Sequence, residues 1–362
     1  MFYYLYLYCK SFFSPFNIFQ YITLRSFGAL LTGLIISCII AHPIIKKLKK
    51  LKIDQQIRLD GPQTHIEKQG TPTMGGIIII ISLIITTILW TFLENRFIII
   101  CLLSSIYFGI IGLYDDYLKF IKKDSKGLSG KKKLFLQFLI GVIIAVYLYF
   151  YPTNSNFAMS VDIPYLKNVF FNLGFFYILF IILVIVGSSN AVNLTDGLDG
   201  LAIGLIMFSA LTYTVFAYLA GHIKFSQYLG IIYIQGAGEI AVFLAGLVGA
   251  SLGFLWFNSY PAEIFMGDTG SLFLGGILGV VAVCVKQELL LVITGGVFVA
   301  EALSVMLQVF YFRHHNGKRI FKMAPIHHHF ELSGWKESKV VIRFWIIGIV
   351  LSLIALSALK IR

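Results

Sequence analysis

Charge is what this sequence has least of. Only 13% of its 362 residues are Asp, Glu, Lys or Arg, and seventeen of those are acidic. Soluble domains carry about 25% charged residues. A water-soluble fold is therefore excluded, and a chain that is 58% hydrophobic belongs in lipid. Cysteine is scarce as well. Cys9, Cys38, Cys101 and Cys284 form no C-x-x-C pair, and three of them sit inside apolar runs. Neither a disulfide framework nor a cysteine zinc site follows from that spacing. The aromatic stretch Phe2 to Phe19 lacks the basic start and small-residue cleavage site of a signal peptide. It reads as a segment lying along the membrane interface, where Tyr and Phe are at home. No lipidation signal and no repeat of fixed period is evident. The net charge of +12 would suit nucleic acid, but the basic residues occupy short loops between apolar runs. Membrane topology explains them there, so no nucleic-acid partner is expected.

What the chain does have is long apolar runs. A helix needs about 20 such residues to cross the hydrocarbon core. On that criterion the runs are Leu24 to Ile45, Met74 to Leu93, Phe97 to Tyr114, Leu134 to Tyr151, Phe171 to Ser189, Leu201 to Ala220, Ala237 to Phe257, Leu272 to Val285, Leu289 to Phe312 and Val340 to Leu359. The expected fold is all-α, a polytopic membrane protein of about ten transmembrane helices. Residues 1–23 form the interfacial segment and 24–362 one transmembrane domain. The ninth run contains Gly295-Gly296 and Glu301, so a bent or broken helix is expected there. One set of loops carries Lys46 to Lys68, Lys119 to Lys133 and Arg313 to Lys339 as its basic clusters, while the opposite set carries only Arg96, Lys167, Lys224 and Lys286. The positive-inside rule makes the first set cytoplasmic and puts both termini outside.

With so few acids, their placement is informative. Asp115-Asp116, the run Asn190 to Asp199, the run Asn258 to Ser271 and the triplet His327-His328-His329 all fall on the predicted cytoplasmic side. Carboxylates at membrane depth are costly and usually mark a site. Asp115-Asp116 close the third run, where the helix dipole disfavours negative charge unless lysine or a divalent cation compensates. Asn190, Asn193, Asp196 and Asp199 recur every third residue. They share a helical face able to hold a hydrated Mg²⁺ and a hydrogen-bonding base. Asp268, in Gly267-Asp-Thr-Gly-Ser271, is either a hard oxygen ligand at a phosphate-binding helix start or only the N-cap of the eighth helix. Phe265 beside it suits stacking on a base. Three neighbouring histidines cannot all face one ion, so His327 and His328 read as phosphate donors or groups that tune a carboxylate. Lys68, Thr71 and Thr73 precede the second run, and Lys68, Lys119 and Lys131 adjoin the acidic clusters. A lysine point charge suits a diphosphate. Glu301 and Gln308 inside the ninth run are either site groups or partners in helix-to-helix hydrogen bonds.

The motifs Thr71-Pro-Thr-Met-Gly-Gly76, Asp115-Asp116, Asn190 through Asp199, Phe265-Met-Gly-Asp-Thr-Gly-Ser271 and Pro325-Ile-His-His-His-Phe330 together resemble, in the same order, those of the bacterial phospho-N-acetylmuramoyl-pentapeptide-transferases. The histidine motif separates that family from relatives that use UDP-N-acetylhexosamines. The resemblance implies transfer of phospho-MurNAc-pentapeptide from UDP-MurNAc-pentapeptide to undecaprenyl phosphate, a need for Mg²⁺, a multi-pass protein of the bacterial inner membrane with its active site facing the cytoplasm, and a homodimer. It further implies that Asp115 activates the lipid phosphate with Asp116 beside it, and that Asp268 is the metal ligand. Asn193, Asp196, Asp199, Asn258 and Phe265 match the nucleoside side, Lys68 lies near it, and His327 and His328 match functional histidines. Asn190, Gly267, Thr73, Lys119, Lys131, Glu301 and Gln308 complete the candidate substrate-binding set. Two other readings stand beside this one. A sister transferase would take UDP-GlcNAc, and a cation-coupled transporter would place its acids near the bilayer midplane.

Overall fold

In lipid every backbone polar group must be satisfied within its own segment, so apolar runs of this length fold as helices. The computed structural model describes residues 1–51, 70–122, 127–167 and 169–361. In chain order the elements are α1 (Phe2–Cys9), α2 (Ile22–Lys50), α3 (Gly76–Trp90), α4 (Arg96–Lys122), α5 (Gly130–Phe150), β1 (Ser160–Asp162), β2 (Phe170–Asn172), α6 (Phe176–Thr195), α7 (Leu201–Ala220) and α8 (Ile223–Leu229), followed by α9 (Gly238–Asn258), α10 (Gly267–Cys284), α11 (Leu290–Thr294), α12 (Gly296–His314), α13 (Ile326–Glu331) and α14 (Glu337–Ser357). Among the described residues nine helices are long and apolar enough to cross a membrane, and α3 is a shorter apolar one. The ninth expected run is broken at Gly295, which separates α11 from α12.

One feature departs from the sequence reading. The third run does not stop at Asp115-Asp116, because α4 continues to Lys122. The carboxylates therefore lie within a helix, and the dipole at a helix end does not bear on them. The fold is all-α as expected, and beside the helices lies a small antiparallel hairpin, in which Val161 of β1 pairs with Phe171 of β2. Strands of three residues are too short for alternation to announce them.

Helices α9 and α10 form the centre. Their apolar windows are 83% and 89% buried, against 28% for α2 and α12, whose outer faces are left for lipid. The sequence of α9, rich in Gly and Ala, explains its position, since small residues let helix backbones approach closely.

The end of the bundle away from the acidic motifs is fastened by buried polar groups. Arg25 of α2 donates to both carboxylate oxygens of Glu239 on α9, at 2.7 and 2.6 Å, and Glu239 also accepts the Phe92 N–H. Lys286, between α10 and α11, donates to the carbonyls of Ala158 and Ser160 at 2.9 and 3.1 Å, holding the hairpin. Gln287 donates to Asp162, and the Tyr177 hydroxyl donates to Glu288. Burial pushes the Lys286 ammonium down to about 8 and the Glu288 carboxyl up to about 7. Lys286→Met would leave two carbonyls unpaired and Glu288 without its cation. It is expected to destabilise this corner by roughly 3 kcal/mol, seen as a lower thermal midpoint in detergent.

Candidate active site

Three chain segments are knitted together at the opposite end of the bundle. The Phe265 N–H donates to the Pro72 carbonyl at 2.8 Å, and the N–H groups of Gly75 and Gly76 donate back to Phe265 and Met266 at 2.8 and 2.9 Å. This exchange sets the starts of α3 and α10 side by side. On α4, Gly112 lies against the backbone of Asp268 and Thr269, where no β-carbon would fit. The close approach brings the next turn of α4, with Asp115 and Asp116, onto the start of α10.

Asp116 then caps α10. Its Oδ2 accepts the Thr269 N–H at 2.9 Å and the Thr269 hydroxyl at 2.8 Å, and its Oδ1 accepts the Asp268 N–H at 3.2 Å. The first turn of a helix needs acceptors of this kind. The alternative in which Asp268 serves only as the cap is thereby overturned: the cap comes from another helix, and the Asp268 side chain is released to face the cluster. Its Oδ1 accepts from Asn193 at 2.9 Å, while Lys133 and Lys119 stand 2.5 and 3.1 Å from its Oδ2. Asn193 also donates to Ser271.

Asp115 is fully buried and accepts the Leu128 N–H at 2.8 Å. Lys119 lies 2.7 Å and Lys133 3.4 Å from its oxygens. Asp115, Asp116 and Asp268 each offer an oxygen within 4.8 Å of the others. At that spacing each pair of like charges repels by roughly 3 kcal/mol at an effective dielectric of about 20. Two lysines offset part of this. Three hard oxygen donors so placed also match what Mg²⁺ and Ca²⁺ prefer.

The structure distributes the other candidates unevenly. Thr73 stands beside Gly267 and Asp116 at the edge of the cluster. Asp196, half-buried at the end of α6, has its carboxyl pushed upward by desolvation and then by the charges of Asp268, Asp116 and Asp199. Asp199 accepts the Ala262 N–H at 3.1 Å, and Asn258 accepts from Gly200 and donates to the Ile264 carbonyl. Those two residues hold the loop after α9 against the turn after α6, and Phe265 follows directly. Asn190 bonds to Gln137 and the Val186 carbonyl; its amide is directed at α5 rather than the carboxylates, against the shared-face reading. Gln308 clamps the backbone of Ile320 and Phe321. Glu301 is buried against His327. His328 meets Glu331 of its own helix at 2.7 Å. Lys68 lies outside the described residues.

Lys131 does not adjoin the carboxylates as expected. Its exposed side chain lines a cavity of about 910 Å³ with Lys122, Lys132, Tyr114 and Phe135, and Lys133 takes the place expected for it. A run of three lysines carries no period to say which one turns inward; that depends on where α5 begins. Glu337, which accepts the Asp199 N–H at 2.9 Å, was also missed. An acid at a helix start is too common a signal to single out.

Comparison with known proteins shows which family the chain resembles. Residues 98–286 match the family described as glycosyl transferase family 4, and residues 68–80 match signature 1 of phospho-N-acetylmuramoyl-pentapeptide-transferase. The chain is 57% identical to the protein of that name from Endomicrobium trichonymphae, with 98% of each chain covered. It is 53% identical to those of Thermodesulfovibrio yellowstonii, over 98% of each, and Desulfotalea psychrophila, over the whole of both.

Proposed function

The chain belongs to the phospho-N-acetylmuramoyl-pentapeptide-transferases, and from that premise we propose that Asp115, Asp116 and Asp268 hold a Mg²⁺ ion between two phosphate-bearing substrates. The reaction transfers phospho-MurNAc-pentapeptide from UDP-MurNAc-pentapeptide to undecaprenyl phosphate, giving lipid I and UMP. It is the first membrane step of peptidoglycan synthesis. The observation that carries the site assignment is convergence. Carboxylates 152 residues apart in sequence share one cluster with two lysines.

The donor set suits a divalent cation: three carboxylate oxygens lie within 4.8 Å of one another, and Mg²⁺ would draw one or two of them, Asp268 first, and complete its shell with water and substrate phosphate. When bound, the ion supplies charge neutralisation and Lewis acidity at the diphosphate. The chain's own groups do the rest. Lys119 and Lys133 are preorganised donors for the charge that develops on departing UMP. Asp115, oriented by the Leu128 N–H, faces the acceptor. A phosphate monoester has its second pKa near about 6, so the lipid phosphate arrives largely deprotonated at neutral pH. Asp115 therefore orients it and takes a residual proton, a contribution of at most about 10²–10⁴-fold. Asn193 and Asp196, with the turn secured by Asp199 and Asn258, bound the nucleotide side, and Phe265 offers its ring to the base.

The same bundle end carries the Lys46–Lys50 cluster, Lys119 and Lys122, Lys131 to Lys133 and Lys336 to Lys339. That charge bias supports a cytoplasm-facing site in a bacterial inner membrane. A homodimer rests on the family resemblance alone. The grouping of acids at one bundle end also disfavours a midplane transport site. Purified protein given undecaprenyl phosphate and Mg²⁺ is expected to release UMP from UDP-MurNAc-pentapeptide and none from UDP-GlcNAc. Equal use of the two nucleotides would transfer the protein to the sister activity.

A further inference from the structure

The carboxylate of Glu301 is fully buried, so it does not open onto a substrate cleft. The group it meets is His327, itself at 0% exposure, with Nδ1 3.1 Å from Glu301 Oε1. The same carboxylate lies 3.5 Å from the His327 backbone N–H. One acid from α12 thus addresses both the ring and the main chain of a residue on α13. His328 next door meets Glu331, three residues on in the same helix, whereas His327 meets a carboxylate carried by a membrane-spanning helix.

The far side of the ring is defined as sharply. A β-carbon at Gly197 would overlap His327 Nε2. The imidazole therefore rests on the turn Asp196 to Asp199, and glycine is what lets it approach. Nε2 is buried and has no hydrogen-bond partner among the described residues. An orphan buried polar atom calls for a reason; here it faces the turn that bounds the nucleotide side. Nδ1 and Oε1 are close without being aligned as a hydrogen bond, and contacts of this kind commonly tighten when substrate arrives. A carboxylate on one ring nitrogen sets tautomer and orientation and leaves the other nitrogen for chemistry.

Resting on the reading of His327 as a site residue, we propose that Glu301 is a positioning residue: it fixes the His327 ring with Nε2 turned onto the Asp196–Asp199 turn, and acts on the nucleotide substrate only through that ring. A plain helix-to-helix hydrogen bond would not require a second ring nitrogen pressed against the turn.

The test is a double-mutant cycle in the full-length protein with saturating undecaprenyl phosphate, reading kcat and KM for UDP-MurNAc-pentapeptide beside the thermal midpoint. Glu301→Gln is isosteric and is expected to lower kcat/KM by about 10–100-fold, as loss of an outer-shell partner does, with the midpoint little changed. His327→Phe is expected to lose at least as much. Adding Glu301→Gln to His327→Phe is expected to cost nothing more. If His327→Phe does not fold, His327→Gln serves as the background. The same fold-loss from Glu301→Gln in both backgrounds would overturn the inference while leaving His327 in the site. Wild-type turnover by the histidine variant would overturn the inference together with the site reading beneath it.

Discussion

Asp268→Ala is expected to lower Mg²⁺-dependent UMP release by on the order of 10³-fold or more, while the protein keeps its fold. The two halves of that expectation have separate causes. Asp268 meets Lys119, Lys133 and Asn193, so its loss removes the proposed metal ligand and leaves the two ammonium groups with Asp115 and Asp116 as their remaining carboxylates. Several kcal/mol of charge stabilisation goes with a catalytic metal, and each 1.36 kcal/mol is about tenfold in rate. The start of α10 is nonetheless capped by Asp116, so the helix does not depend on Asp268. Asp116→Ala is the contrast. It removes a ligand and the acceptor of three hydrogen bonds, and an N-cap alone is worth about 1–2 kcal/mol. Turnover and thermal midpoint are expected to fall together there, and turnover alone in Asp268→Ala. Equal turnover in Asp268→Ala and wild type would remove the metal assignment.

Lys133→Met is expected to cost about 10²-fold in kcat, the usual effect of deleting one preorganised donor. Lys131→Met, two residues away, is expected to cost less than about fivefold, since exposed charges contribute at most ~1 kcal/mol. The difference comes from register alone. Lys133 reaches Asp268 and Asp115, whereas Lys131 faces outward along the α4–α5 corner. Steady-state rates for the two variants decide it, and equal losses would show that the basic run acts as a diffuse field.

Those two lysines also show where sequence reading stops. The helices were legible because lipid forces apolar runs into helices of known length, and the break at Gly295 followed from paired glycines beside Glu301. The acidic motifs were legible because a carboxylate at membrane depth needs a reason. Roles inside the motifs were not. Asp116 and Asp268 look alike in sequence, yet one caps a helix and the other faces the cluster, a division set by the approach of Gly112 to α10. Asn190 and Asn193 share a helix, but only Asn193 reaches Asp268. Spacing of three residues turns a helix by about 300° (100° per residue), enough for neighbouring members of such a series to diverge. The hairpin that Lys286 holds left no trace in the sequence pattern, because its fastening is to backbone carbonyls.

The most direct measurement is divalent-ion binding itself. Mn²⁺ can be titrated into the purified protein and followed by electron paramagnetic resonance, with Mg²⁺ as competitor and UMP present. Wild type is expected to take up one Mn²⁺ that Mg²⁺ displaces, and Asp268→Asn to take up none over the same range. Identical uptake by the two proteins would contradict a cation held by Asp115, Asp116 and Asp268.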